Sequence, residues 1–139
     1  AHYAVMFENY SLKMDIESKT LADMCKNIVL PAAIAYQTKI ASNIVTLKKT
    51  DITDQSFHSQ HKLLKQLSKD IDELVDTTEK LEQSIHKAHK SDFVATANNY
   101  CNKVKPLMER LREIADNLEG IVEDSIWPLS KYREMLFIR

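Results

Sequence analysis

Phe57, Gln60, Leu64, Leu67, Ile71, Leu74, Thr78, Leu81, Ile85 and Ala88 follow one another at alternating steps of three and four residues. Phe93, Ala97, Tyr100, Val104, Leu107, Leu111, Ile114, Leu118, Ile121 and Ser125 repeat the pattern. A helix turns once in 3.6 residues, so such steps gather each set on one side of a helix, and the 3.5-residue repeat suits long helices packed at a shallow angle. Two stripes that can bury each other commit most of the chain to a helical bundle. The sequence predicts an all-α fold, an up-down-up antiparallel bundle of three long helices. An extra N-terminal helical segment and an irregular C-terminal tail complete it.

Working outward, Ser91 and Asp92 supply the turn between the two stripes, and either can cap the helix that begins at Phe93. Thr50 to Gln55 supplies the preceding turn, with Asp51, Thr53 and Asp54 as capping residues. The expected helices are 2–49, 55–90 and 92–126, within a single domain 1–139 and followed by a tail 127–139. The second helix would be on the order of 50 Å long. Pro31 predicts a kink or break near residue 31, and Pro106 a second kink, because an interior proline removes a backbone hydrogen bond and crowds the preceding turn. Trp127-Pro128 ends the third helix, since the residue before proline is pushed out of the helical region. At the other end Tyr3, Phe7, Tyr10 and Met14 recur at helical spacing with no cap before them, so we expect a piece cut from a longer chain.

Composition narrows the function classes. In 139 residues there are one glycine (Gly120) and three prolines, too few for hairpins or a phosphate-cradling loop. The net charge of −1 gives no electrostatic footprint for nucleic acid or an anionic membrane. The longest apolar run, Ile28 to Tyr36, is too short to span a bilayer. No signal peptide opens the chain. Cys25 and Cys101, the two cysteines, both fall in helical patterns and read as reduced, core-type thiols of a cytoplasmic protein.

Local chemistry is sparse. His58 with His61, and His86 with His89, each place two imidazoles on one helical face, but no third or fourth ligand converges on either pair, so no metal is expected. A phosphotransfer histidine fails likewise, because the lysine-glycine environment of that class is missing after His86. Asp70, Asp72, Glu73, Glu109 and Glu113 alternate with lysine and arginine and read as a solvated face. Trp127 at a helix end reads as closing the bundle. Met135 to Ile138 would form an exposed apolar patch, so that tail is expected to pack on this bundle or on a neighbour.

More specific residues lie at the two ends. Tyr3-Ala4-Val5-Met6-Phe7-Glu8-Asn9-Tyr10, Ile16-Glu17, Leu21-Ala22-Asp23-Met24 and Ile28-Val29-Leu30-Pro31-Ala32 resemble the C-terminal region of type III glutamine synthetases. Trp127-Pro128-Leu129, Tyr132 and Leu136-Phe137 resemble the end of the same family. The sequence departs from the family pattern at Ser130 and at Arg133-Glu134-Met135. The resemblance implies a parent glutamate–ammonia ligase of nitrogen metabolism that hydrolyses ATP and uses divalent metal, magnesium or manganese. It also implies a ring-shaped homo-oligomer. None of that family's metal, ATP or glutamate ligands maps onto this segment, so no catalytic, cofactor-binding or metal residue is expected here. The expected role is structural: contact with the catalytic domain of the same chain and with neighbouring subunits, through Trp127, Pro128, Tyr132, Leu136 and Phe137. A free-standing three-helix interaction module, spectrin-like or a coiled-coil adaptor, explains the stripes equally well and leaves the end motifs unexplained.

Overall fold

A computed structural model describes residues 2–130, so the expectations placed on Tyr132, Leu136 and Phe137 lie outside the described residues. Among the described residues there are three long helices and no strand. We call α1 the 47-residue helix His2–Lys48, α2 the helix His58–Ala88, and α3 the run made of Phe93–Asn99, Tyr100–Val104 and Lys105–Ile121. The first half of α1 lies against the start of α3 and against α2, its second half lies along α2, and α2 pairs with the later part of α3. α1 and α3 therefore run parallel, with α2 antiparallel between them, as the stripes predict.

The stripe on α2 is the core. Leu67, Ile71, Leu74, Thr78, Leu81, Ile85 and Ala88 are all buried, facing Tyr100, Val104, Leu111, Ile114 and Leu118 of α3. Two of these close further bonds: the Thr78 hydroxyl donates back to the Leu74 carbonyl, and Tyr100 reaches across to α1. Met108 and Val122 are also fully buried, although the strict three-four spacing passes them over for Leu107, Ile121 and Ser125.

The helices deform at two places. Neither proline breaks its helix. Each is preceded by a π turn, Cys25–Val29 before Pro31 and Tyr100–Val104 before Pro106. The Leu30 N–H reaches the Cys25 carbonyl, and the Lys105 N–H reaches the Tyr100 carbonyl, each five residues back. The proline ring would collide with the carbonyl four residues earlier; one extra residue in the turn moves that carbonyl aside and lets the helix continue. The predicted kink or break near 31 is thus a widened turn inside one long helix, and everything after it is rotated around the axis.

The ends also differ from the expected bounds. A 3₁₀ turn, Asp54–Phe57, leads into α2, and no side chain caps it. Phe57 is instead buried there, with His61 stacked on it at 5.3 Å. Asp92 is the cap of α3, accepting from the Val94 and Ala95 amides at 3.4 and 3.3 Å. α3 stops at Ile121, five residues short of the expected end at 126. Val122 turns to an extended conformation next to Gly120, whose missing side chain makes the helix cheap to leave. The chain then folds back through a turn closed by Ile126 and Trp127 amides on the Glu123 carbonyl, which carries Trp127 into the core.

α1 is long and apolar enough, by length and composition, to cross a membrane. Its polar groups are engaged in the bundle, however. Gln37 donates to the Ser68 hydroxyl of α2 at 2.9 Å, and Lys39 grips both carboxylate oxygens of Glu123 at 2.9 and 2.6 Å.

Candidate functional site

Asp15 on α1 is the centre of a polar network that ties α1 to α3 close to the end of α2. The Tyr100 hydroxyl donates to one carboxylate oxygen at 2.8 Å, and the Lys19 ammonium donates to the other at 2.9 Å. Tyr100 is fully buried, and His89 stands edge-on to its ring at 6.4 Å. Burial, and then the bond to Asp15, push the Tyr100 phenol well above its ordinary range. Burial alone would raise the Asp15 carboxyl as well, but the bonds from Lys19 and Tyr100 outweigh it and hold the group below its usual value. The tyrosine is placed by the π turn, which opens at Tyr100 and aims it at α1.

Beside this network a groove of about 610 Å³ runs between α1 and α2, lined by Asp15, Lys19, Asp23, Lys26, Glu82, His86 and His89 among others. It brings His86 and His89 together with acidic residues, as a metal site would require. Its charges, however, are already paired: Lys19 with Asp15, Lys26 with Glu82 at 3.5 Å, and Asn27 with Asp23 at 2.6 Å. Among the described residues no cluster of three or more histidine, cysteine or carboxylate side chains is arranged to hold a metal ion. His58 and His61 lie at the far end of α2, where His61 stacks on Phe57.

Two readings of single residues are corrected. Asp70 is not part of a solvated face: it is 4% exposed, accepts one bond from Gln66 at 2.9 Å, and its other oxygen has no partner among the described residues. The heptad places it beside Ile71 at the edge of the buried stripe, which spacing alone did not separate from the solvent side. Cys25 is buried, with its thiol pushed up to about 11 by burial, but Cys101, next to Tyr100 at the edge of the stripe, is exposed rather than core-type. Glu73 and Glu113 do serve the outer face, both bonded by Arg110.

Of the contact residues expected near the C-terminal end, Trp127 is 7% exposed and packs in the core, with Ile126 and Leu129 against it, while Pro128 is exposed. The feature that the stripes did not point to lies on α1. Val5, Leu12 and Ile16 are 53%, 59% and 57% exposed, on the side of the helix opposite the buried Ser11, Met14, Ser18 and Ala22. Leu12 also lines a second groove of about 250 Å³ with Phe93, at the seam between α1 and the start of α3. A second apolar set at steps of seven and four residues was the available signal.

Residues 1–48, which contain all of α1, match the family model described as the glutamine synthetase C-terminal domain. The chain is similar to glutamine synthetases. It is 33% identical over 140 residues to a glutamine synthetase of Bacteroides fragilis, covering 97% of this chain and 19% of that protein. A type-3 glutamine synthetase of Dictyostelium discoideum is 32% identical over 139 residues, with the same shares covered. A glutamine synthetase of Butyrivibrio fibrisolvens is 29% identical over 99% of this chain and 20% of its own length. The chain thus spans about a fifth of the length of the curated relatives it matches, and the likeness runs through all three helices. The resemblance read from the end motifs is the one these comparisons return, and the family model names a C-terminal domain.

Proposed function

We propose that this bundle is a non-catalytic, structural domain of a type III glutamine synthetase. The parent joins glutamate and ammonia into glutamine with hydrolysis of ATP, helped by magnesium or manganese held outside this segment. The observation that carries the reading is the match of nearly the whole chain to about a fifth of each synthetase relative, combined with the self-paired charges of the groove beside Asp15. A site for substrate chemistry needs unpaired, convergent groups with shifted proton affinities, and here the shifted ones hold helices together.

In this reading the domain stabilises the catalytic region of its own chain and supports assembly of a ring-shaped homo-oligomer in the cytoplasm. Nucleic acid and membrane are not its partners. Pro128, with Trp127 seated behind it, and the apolar residues Tyr132, Leu136 and Phe137 form the proposed contact with the rest of the assembly.

The test is made on the native protein: its mass, and its ATP-dependent glutamine formation. A chain several times heavier than 16.0 kDa that forms glutamine is the expected result. A native chain of that small mass without activity would overturn the reading in favour of the free-standing interaction module. Removal of Leu129 to Arg139 from the parent is expected to weaken ring assembly; rings that form unchanged would reject the role given to the tail.

A further inference from the structure

We propose that the outer face of α1, centred on Leu12 and Ile16 and continued by Phe93 of α3, is the seat of the polypeptide that precedes this domain in the parent chain. The proposal rests on the reading of the chain as the C-terminal portion of a longer synthetase and adds the surface by which that portion is held.

Leu12 and Phe93 line one groove, so two helices form a single apolar surface there. Ser11, 7% exposed, lines the same groove, and its hydroxyl has no hydrogen-bond partner among the described residues. Glu8 and Asp15 line it as well. A large apolar side chain set beside one hydrogen-bonding group is the complement of such a groove: the first fills the space between Leu12 and Phe93, and the second satisfies Ser11.

Size argues for a tethered occupant. Val5, Met6, Leu12, Ile16 and Phe93, each about half exposed, offer on the order of 500 Å² of surface, short of the roughly 800 Å² per side in a standard free-standing complex. A segment of the same chain needs less, because its effective concentration is in the millimolar range. The synthetase relatives carry about four-fifths of their length outside the part matched here. In a C-terminal domain that length precedes α1, on whose first turns Val5, Leu12 and Ile16 stand. A second copy of the bundle has no such advantage.

The experiment uses the full-length parent, with Leu12→Cys, Phe93→Cys and, as a reference on the solvent face of α2, Lys80→Cys. Alkylation is followed peptide by peptide by mass spectrometry. We expect the first two to react about tenfold or more slowly than the reference, and to stay slow when the protein is diluted a hundredfold. The unsubstituted parent, footprinted with hydroxyl radicals, gives a second reading at Met6 that no cysteine has disturbed. Equal rates at all three positions overturn the proposal, and so does protection that vanishes on dilution, which would assign the surface to a second copy. Glutamine formation is measured on the same preparation. An active synthetase with a reactive Leu12→Cys overturns the seat and leaves the function standing. A long, inactive parent with a protected Leu12→Cys supports the seat and overturns the function.

Discussion

α1 and the α2–α3 pair both bury an inner face, but they differ in what they show to water. Past its first two residues α3 exposes no large apolar side chain, and α2 exposes none. α1 exposes Tyr3, Val5, Met6, Leu12, Ile16, Ile34 and Val45. A helix needs one apolar stripe to join a bundle, and a second stripe opposite the first adds nothing to the isolated bundle. The difference therefore separates two kinds of hydrophobic residue on one molecule: those that fold the bundle and those that belong to an association beyond it.

The sharpest way to break that distinction is to cut into the α2–α3 side. Leu111→Ala removes a side chain with no solvent exposure and should destabilise the bundle by about 2–5 kcal/mol, read from urea or thermal unfolding. A loss below about 0.5 kcal/mol would place Leu111 outside the core. Next is the bond that fastens α1 to α3. Tyr100→Phe keeps the ring and removes the hydroxyl from Asp15, and about 1 kcal/mol should be lost, since Lys19 still serves the half-buried carboxylate. An unchanged midpoint would show that the bond adds nothing to holding α1.

The same carboxyl gives a pH dependence. Its proton affinity is depressed in the folded chain, so its contribution is fully present above the ordinary aspartate range and is lost as pH falls through the lowered folded value. Stability should decline below about pH 4, and Asp15→Asn, already lacking that contribution at neutral pH, should decline less steeply over the same window. Parallel acid transitions for the two proteins would remove Asp15 from the account. The smallest effect is expected where the exposed apolar residues are densest. Leu12→Lys with Ile16→Lys should move the stability of this 139-residue chain by no more than about 0.5 kcal/mol, because both side chains already face water. A large loss there would erase the contrast between the helices.

How much of this was legible in the sequence follows from which rule governed each residue. Periodicity located α2 and most of α3 because there each buried position has an exposed neighbour of opposite character, as Leu74 has Asp72 and Leu111 has Arg110. Beyond Tyr100 it held at Val104, Leu111, Ile114 and Leu118 and missed at Met108 and Val122, which are buried where the stripe has Leu107 and Ile121. A proline announces that a helix must deform, but whether it kinks or widens is decided by packing around Cys25 and Tyr100, which a one-dimensional pattern does not contain. Asp70 and Cys101 were misplaced for a related reason: each sits at the edge of a stripe, where a rotation of one position exchanges core and solvent. On α1 the inner and outer apolar sets overlap in sequence, so Met14 and Ile16 read alike although one is buried and the other is not.

The bond between Tyr100 and Asp15 joins positions 85 residues apart, whereas α2 and α3 are linked by a turn of four residues, 89–92. Closing a short loop is fast and entropically cheap, while the long one gains little until both ends are ordered. The contact between α1 and α3 is accordingly expected to close after the α2–α3 hairpin. In a growing polypeptide that order reverses the order of synthesis: α1 leaves the ribosome first and waits for the hairpin, its two apolar faces both uncovered, with only the chain made before it at hand to shield one of them.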